Sequence, residues 1–573
     1  MWHRLRRDTC LQFAFLVAAF VVLITARILQ TNGHEPSLLD GMYLPILVLL
    51  AGYTLVYMSA ISLQRFVANS VVFCVVLGVL PAIKYQLLWG GDVNYLYRVI
   101  DTVATAGTYN AVREIPERFV GIYANFPGFI VLNVIFAGTT GLPTLEAYKL
   151  LFPMVYGIVY PTSFFLLSGL ATESANLKRA IVIAATIPYA LLPGAPWNYF
   201  MMPNYFCFLL SLPILYLILK APPAHSNRAS LATIIVVLMS AVVVTHPTAA
   251  LYLSMIFTAF LIIRGLSNRI MRAQARSLLS TSLVLFAWAA TFGWVTYSSI
   301  SGYVASIPEI LILAFREGIR IPSVTQRLQV SGPTVFLITH ISKLAIGSLA
   351  LLGLVGFVRR KVHEVKLGLW TMFALLFLFI AGGLLFVLGY AFFDIYVGYR
   401  SLFLSMIVVT LAAGLGISWL TAGTLRHGIT RRGTRQAILG LLLFAILTAS
   451  LFELYPTEYA NTSVLNAVHT IEQKDVVGFL NAHWAKSGQI VTDLYTWQVA
   501  ESFGAANMTD NIVPLDELPF VILQDPLTTV FENAGVKWTR YIRPDTVVQW
   551  SNSHERQNVI YNSGFMMVNS TIT

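Results

Sequence analysis

The sequence predicts an α-helical polytopic membrane protein with about 13 transmembrane helices and a small external C-terminal α/β domain. Two observations predict this fold class. The chain of 573 residues is 57% hydrophobic and only 11% charged, with a mean hydropathy of +0.72, whereas a soluble chain of this size needs a larger charged surface. The apolar runs also end near residue 454, and charged residues with short alternating segments follow them.

Apolar runs long enough to cross about 30 Å of hydrocarbon recur up to residue 454. Each run is followed by a polar turn or a longer polar loop, as expected of helices that cross a bilayer in alternating directions. The first run follows "MWHRLRR" and is too long for a typical signal peptide, so we interpret it as a retained span. The runs lie at 9–29, 42–62, 69–88, 147–170, 179–193, 201–220, 230–246, 247–264, 279–298, 334–357, 367–388, 401–421 and 437–454.

Lys and Arg residues concentrate in alternate turns, which is the positive-inside pattern that places the N-terminus in the cytoplasm. The turn between Arg264 and Arg276 is an example. This distribution spreads the net charge of +11 over short turns, so the sequence offers no basic patch for a nucleic acid. It also predicts that the loops at 89–146 and 299–333 and everything after 455 are external.

We therefore divide the chain into three parts. Residues 1–68 hold two transmembrane helices, residues 69–454 hold a transmembrane module with the two large external loops, and residues 455–573 form the external α/β domain. In the last part, "GQIVTDLY" and "VKWTRYI" alternate as strands do, whereas "EQKDVVGFLNAHW" has helical spacing. The three cysteines lie in apolar runs and offer neither a disulfide framework nor a metal-ligand spacing.

The stretch "WGGDVNYLYRVIDTVATAGTYN" opens the first external loop and predicts a short helix on the membrane surface. Asp92 stands where this helix would be capped, and Gly107 stands where it would stop. A second surface helix, opened by Pro127 and too short to span, is predicted in "NFPGFIVLNVIFAGTTG". The first helix has one apolar stripe at i, i+3, i+4 and i+7, formed by Leu96, Val99, Ile100 and Val103.

The two aspartates of this first helix each allow two interpretations. Asp92 is either a helix N-cap or a carboxylate at the lip of the bilayer that meets a substrate, and the two roles are compatible. Asp101 is either a solvated residue on the polar face or a substrate contact. The length of the loop favours a functional role, because long loops in compact domains are usually functional.

Other ionisable residues lie at the predicted outer ends of the spans. Lys84 and Lys343 fall inside predicted spans, where a charge is costly and marks a site or an ion pair. His246 lies at an outer turn, either as a structural hydrogen-bonding residue or as a substrate contact. Asp394 and Arg400 lie at another outer turn, where Arg400 either reaches the membrane interface or holds a phosphate. Cations at the membrane edge near a carboxylate suit a lipid-phosphate donor and a hydroxyl acceptor.

The chain resembles the glycosyltransferase C superfamily of integral-membrane transferases that use polyprenyl-phosphate sugars. This superfamily includes oligosaccharyltransferase catalytic subunits, protein O-mannosyltransferases and aminoarabinose transferases. The resemblance rests on the two helices of the first loop, on "THPTA" and "GYRSLFL", and on the order of spans and external tail; the ending "NVIYNSGFMMVN" is similar to archaeal members. Two features depart from the family: two spans precede the one that opens the catalytic module, and the second acidic pair of metal-using members is absent.

The resemblance implies an inverting glycosyltransferase of the cell membrane that moves a sugar from a polyprenyl-phosphate donor to a glycan, lipid or protein acceptor on the external face. Asp92 is the implied general base. No cofactor is implied, although some members use a divalent metal. The alternative is a lipid-linked-sugar flippase or secondary transporter, but transporters typically have internal repeats and helices broken at mid-membrane. The candidate substrate-binding residues are Asp101, His246, Lys84, Lys343, Arg400 and Asp394.

Overall fold

A computed structural model of the chain describes most of the helices predicted between residues 62 and 422. The predicted spans at 9–29 and 437–454 lie outside the described residues, as do the loop at 299–333 and all but one residue of the span at 42–62. The described residues are 62–84, 91–114, 126–186, 203–220, 228–271, 277–298, 344–358, 365, 369–388, 395–422, 490–492, 508–509, 520–524, 557–562 and 566–571.

The described helices fall on the apolar runs and surface helices that the sequence predicts, within a few residues at most ends. A short 3-10 helix, Tyr109–Glu114, follows the first surface helix. The α-helices are α1 (Leu63–Lys84), α2 (Gly91–Ala106), α3 (Pro127–Thr140), α4 (Thr144–Ala171), α5 (Ala175–Thr186), α6 (Pro203–Leu219), α7 (Arg228–Thr245), α8 (Pro247–Met271), α9 (Thr281–Tyr297), α10 (Leu344–Val358), α11 (Leu369–Leu388) and α12 (Ile395–Ala422).

Three stretches among the described residues are long and apolar enough to cross a membrane, by length and composition. They are Thr144–Ala171, Arg228–Thr245 and Ala249–Arg269, in α4, α7 and α8. Shorter apolar helices, such as α6 and α9, accompany them. The chain is therefore a helical membrane protein, and the number of about 13 spans stays a prediction.

Small residues allow the helices at the centre of the bundle to approach one another closely. Gly157 of α4 lies against the backbone of Val75 in α1 and leaves no room for a Cβ atom. Gly414 of α12 lies in the same way against Ile181 of α5. Close approach of this kind increases van der Waals contact between helices, which is a main source of association inside a membrane.

Helices α8 and α9 are joined by side-chain hydrogen bonds. The indole N–H of Trp288 donates to the hydroxyl of Thr258 at 2.8 Å. The hydroxyls of Ser254 and Thr291 lie 3.3 Å apart. These contacts give partners to polar groups that hydrocarbon could not satisfy.

Two turns that the positive-inside pattern places on the same side of the membrane meet in the structure. Thr172, after α4, and Val365, before α11, form an isolated antiparallel bridge. Lys178, near the start of α5, has its ammonium 3.5 Å from the carboxylate of Glu173 in the first of these turns. The bridge brings the end of α4 close to the segment before α11, and the order of membrane crossings stays a prediction.

The described residues after 455 form a five-stranded mixed sheet in the order β2-β1-β3-β5-β4. Strand β1 is parallel to β2 and β3, whereas β5 is antiparallel to β3 and β4. The predicted strand "VKWTRYI" and helix "EQKDVVGFLNAHW" lie outside the described residues, so the α/β domain as a whole stays a prediction. The strands are β1 (Ile490–Thr492), β2 (Met508–Thr509), β3 (Phe520–Gln524), β4 (Gln557–Asn562) and β5 (Met566–Thr571).

Candidate functional site

The apolar stripe of α2 is buried by protein. Leu96, Val99 and Ile100 have no exposed surface, and Val103 is 4% exposed. Helix α2 packs on α3 and α4. The predicted helix is therefore confirmed, but its apolar face meets other helices and does not lie open towards a membrane surface. Periodicity shows that a face is apolar and does not show what covers it.

The two ends of α2 differ in how well the sequence predicts them. The helix begins at Gly91, so Asp92 lies in its first turn, and the prediction that Asp92 occupies the N-cap position is wrong. Glycine has the backbone freedom to begin a helix at Gly91. A carboxylate is still favoured in the first turn, where the backbone N–H groups lack helical partners. The side chain of Asp92 is outside the described atoms.

Gly107 ends α2 as predicted. Its φ is +66°, and its N–H donates to the carbonyl of Val103 at 2.9 Å. A side chain is strained in this left-handed conformation, which glycine adopts freely. The end of α2, and hence the start of the following 3-10 helix, is therefore fixed by the sequence itself.

Asp101 lies partly exposed on α2, one turn after Tyr97. Burial, and then the negative charge of Asp101, raise the pKa of Tyr97 to about 12. The phenol of Tyr97 is therefore neutral at physiological pH and keeps its O–H as a hydrogen-bond donor. Burial likewise raises the pKa of Tyr109, in the 3-10 helix, to about 12. Asp101 and Tyr97 of α2, together with Tyr109 of the 3-10 helix, thus combine a carboxylate with neutral phenols.

Aromatic contacts join α2 to α3 and α4. The rings of Tyr97 and Tyr148 stack with their centroids 6.5 Å apart. The ring of Tyr148 in turn meets the ring of Phe129 edge to face at 6.3 Å. Since offset-stacked and edge-to-face arrangements are the favoured ones for aromatic pairs, these three residues fix the position of α2 relative to α3 and α4.

The start of α3 packs on the turn between α7 and α8. The ring of Phe126, the residue before α3, stacks on the imidazole of His246 with centroids 5.1 Å apart and an angle of 21° between the planes. A Cβ atom on Gly128 would lie 2.7 Å from the side chain of Val244, so the close approach of α3 and α7 requires glycine there. The structure thereby brings the predicted first loop and the predicted residue His246 together.

His246 occupies the N-cap position of α8. Its Nδ1 accepts a hydrogen bond from the backbone N–H of Ala249 at 3.2 Å, and Pro247 follows as the first residue of the helix. Because Nδ1 is the acceptor, the proton of the neutral ring sits on Nε2. This geometry matches the structural interpretation of His246, and its contact with a substrate stays a prediction.

A buried lysine in α4 was missed by the sequence analysis. The side chain of Lys149 has no exposed surface, and its Nζ lies 3.6 Å from Oε1 of Glu146, whose side chain is 28% exposed. Lys149 falls inside the predicted run at 147–170, so the criterion that selected Lys84 and Lys343 would have found it. It lies next to Tyr148, at the place where α2 and α3 pack on α4.

The remaining candidate residues are placed only in part. Lys84 is the last residue of α1, and Arg400 lies in the second turn of α12, but neither side chain is described. Lys343 and Asp394 lie outside the described residues. Among the described side chains, no group of three or more His, Cys, Asp or Glu could hold a metal ion.

Comparisons with known proteins give one family and several solved structures. Residues 128–483 match a family of unknown function, DUF6541. No curated protein matches the sequence. In solved structures, the chain is similar to the archaeal oligosaccharyltransferase AglB from Archaeoglobus fulgidus, in complex with an inhibitory peptide and a dolichol-phosphate. The identity is 12% and the TM-score 0.49, over 89% of this chain and 74% of that chain.

The chain is also similar to ArnT from Cupriavidus metallidurans bound to undecaprenyl phosphate, at 10% identity and a TM-score of 0.47. That similarity covers 89% of this chain and 98% of that chain. The apo state of the same ArnT gives 11% identity and a TM-score of 0.43. The inhibitory peptide and the dolichol-phosphate are ligands of AglB, and the undecaprenyl phosphate is a ligand of ArnT.

Proposed function

The chain belongs to the family of unknown function DUF6541, and we propose that it is an inverting glycosyltransferase that takes a sugar from a polyprenyl-phosphate donor. One observation carries the proposal. Helix α2 holds Asp92 in its first turn and packs on α4, where Lys149 has no exposed surface. A carboxylate and a buried cation on two helices in contact are the groups that an acceptor hydroxyl and a leaving phosphate require.

The reaction is a single displacement at the anomeric carbon of the donor sugar. The acceptor hydroxyl forms the new C–O bond, and Asp92 accepts the proton of that hydroxyl. The bond between the anomeric carbon and the phosphate oxygen breaks, and its electron pair leaves with the polyprenyl phosphate. Attack on the face opposite the leaving group inverts the configuration of the sugar.

Positive charge stabilises the phosphate as it leaves. Lys149 joins Arg400, Lys343 and Lys84 as a source of that charge. The burial of Lys149 supports its role, because a charge acts more strongly where water does not screen it. The nearby carboxylate of Glu146 offsets part of this effect.

The acceptor approaches along the outer surface of α2. Asp101 and Asp394 accept hydrogen bonds from sugar hydroxyls, and the neutral phenol of Tyr97 donates one. Preorganised hydrogen bonds of this kind orient the attacking hydroxyl before the reaction begins.

The proposed function includes a topology. The N-terminus is cytoplasmic, about 13 helices cross the cell membrane, and residues 455–573 form an α/β domain on the external face. Residues 1–68 provide two spans that precede the catalytic module at 69–454. The positive-inside pattern supports this orientation, in which Asp92 and the start of α4 would lie at the external edge of the bilayer.

A glycosyltransferase breaks the bond between the sugar and the polyprenyl phosphate, whereas a flippase or transporter leaves it intact. Purified protein is reconstituted into vesicles that contain a polyprenyl-phosphate sugar labelled in the sugar, and a mixture of glycan, lipid and peptide acceptors is added. We expect the label to leave the polyprenyl phosphate, with inverted configuration at its anomeric carbon. Movement of intact labelled lipid from one leaflet to the other, without cleavage in any acceptor mixture, would show a flippase and would refute the proposal.

A further inference from the structure

The contact between Phe126 and His246 suggests a role that goes beyond substrate binding. We propose that these two residues position α2 for the transfer reaction and that the contact requires the neutral form of His246. The inference rests on the proposed function for its catalytic consequence, whereas its structural part stands without it. Both residues are positioning residues, since they act on the reaction through α3 and α2.

The contact joins two helices that begin in the same way. Phe126 precedes Pro127 at the start of α3, and His246 precedes Pro247 at the start of α8. Proline at the first position fixes the backbone at each start. The stacked rings, 5.1 Å apart between centroids, therefore hold together two helix starts that are each rigid.

The neutral imidazole is needed for the hydrogen bond that orients the ring. Nδ1 of His246 accepts the N–H of Ala249, and a protonated ring carries a hydrogen on both nitrogens and cannot accept. The start of α8 is also the positive end of its helix dipole, which disfavours an added positive charge. Protonation thus removes the N-cap hydrogen bond and turns the ring away from Phe126.

The effect reaches α2 through packed aromatic rings. Gly128 seats α3 against α7, with no space for a side chain. The next residue, Phe129, contacts Tyr148, and Tyr148 stacks on Tyr97 of α2. A shift in the start of α3 therefore changes the position of α2, which carries Asp92 in its first turn.

Among the described residues around this turn, His246 is the one whose residue type ordinarily changes charge between about pH 5 and 8. Helix α3 contains no titratable side chain, and α7 contains only Arg228, at its opposite end. The titratable side chains in the adjoining turns of α6 and α8 are Tyr205, Cys207 and Tyr252. Tyrosine and cysteine are ordinarily neutral where histidine titrates.

The effect on catalysis is tested with two variants, one of which keeps the hydrogen bond from Ala249 while the other keeps the aromatic stack on Phe126. His246→Asn keeps an oxygen that can accept the N–H of Ala249, as asparagine does at helix N-caps, and it does not titrate. His246→Phe keeps an aromatic ring against Phe126 and loses the acceptor. For each protein, transfer is measured at about pH 5 and about pH 8, and the ratio of the two rates is compared.

We expect the rate of the unmodified protein to fall by about fivefold between about pH 8 and about pH 5, the effect of losing one N-cap hydrogen bond. In both variants the rate at about pH 5 should stay close to the rate at about pH 8, so the ratio should be near one, whatever the absolute rate. If the transfer rate fell equally at the lower pH in all three proteins, a group other than His246 would cause the decrease, and the proposal would be overturned.

Hydrogen exchange distinguishes failure of this inference from failure of the proposed function, and it needs no variant. In the unmodified protein, we expect the first turns of α3 and α8 to exchange faster at the lower pH after correction for the intrinsic rate. The control is α9, which should not change. Faster exchange at the lower pH without any transfer activity would refute the proposed function and would still support a pH-dependent contact between Phe126 and His246. Transfer with no change in exchange would overturn the contact as a pH-dependent element.

Discussion

Replacing Lys149 with methionine removes a charge and almost no volume. The side chain of Lys149 has no exposed surface, so methionine can occupy the same space. A charge and a phosphate about 6 Å apart interact by about 3 kcal/mol at an effective dielectric constant of about 20. The carboxylate of Glu146, at 3.6 Å, offsets part of this. We therefore expect transfer to fall by about 10- to 100-fold, since about 1.4 kcal/mol corresponds to a factor of ten.

The Lys149→Met variant should be at least as stable as the unmodified protein, although its transfer rate falls. Removing a buried charge ends its desolvation cost, and the partly exposed carboxylate of Glu146 remains hydrated, so the Tm should stay equal or rise. Transfer is measured in a single turnover beside the thermal unfolding of the same sample. The matched control is Lys178→Met, which breaks a pair with Glu173 at 3.5 Å at the other end of α4. Equal activity in Lys149→Met and Lys178→Met would refute the role of Lys149.

Two further predictions concern α2 and use thermal unfolding. Gly107→Ala should destabilise the protein by about 1 kcal/mol, because alanine is strained at the φ of +66°. The control is Gly138→Ala in α3, where the Cβ position is open, and this change should be neutral or stabilising. Equal destabilisation by both changes would contradict the role of Gly107 as the left-handed end of α2. The neutral phenol of Tyr97, with a pKa raised from 10 to about 12, contributes stability that is complete below pH 10 and is lost as the pH rises to about 12. Tyr97→Phe should remove the part of the stability loss above pH 10 that comes from ionisation of Tyr97. If stability fell with pH in this variant as it does in the unmodified protein, this contribution of Tyr97 would be refuted.

The parts of the site that depend on local sequence could be predicted from it. The spacing of the apolar residues predicts which face of α2 is buried, and Gly107 predicts its end because glycine alone is relaxed there. Pro127 and Gly141 predict both ends of α3, where Gly141 has a φ of +69° and donates its N–H to Ala137. Each of these properties arises from a few neighbouring residues.

The parts that depend on distant residues could not be predicted. Phe126 and His246 stack although 120 positions separate them along the chain, and no pattern in either segment names the other. The close contact between Gly128 and Val244 also joins two segments that are distant in the sequence. Lys149 was visible as a charge inside an apolar run, but its complete burial follows from the packing of several helices on α4.

The most direct test of the account is the rate of sugar transfer in Asp92→Asn beside Asp101→Asn. Asparagine keeps the size of aspartate, and the loss of a first-turn charge should cost at most about 1 kcal/mol of stability. The rate of the chemical step is measured in a single turnover from a labelled polyprenyl-phosphate sugar, in samples of matched thermal stability. The account predicts a loss of about 10²- to 10⁴-fold for Asp92→Asn, as for removal of a general base. It predicts a loss of about fivefold for Asp101→Asn, as for one hydrogen bond. Transfer by Asp92→Asn at the rate of the unmodified protein would contradict the central claim.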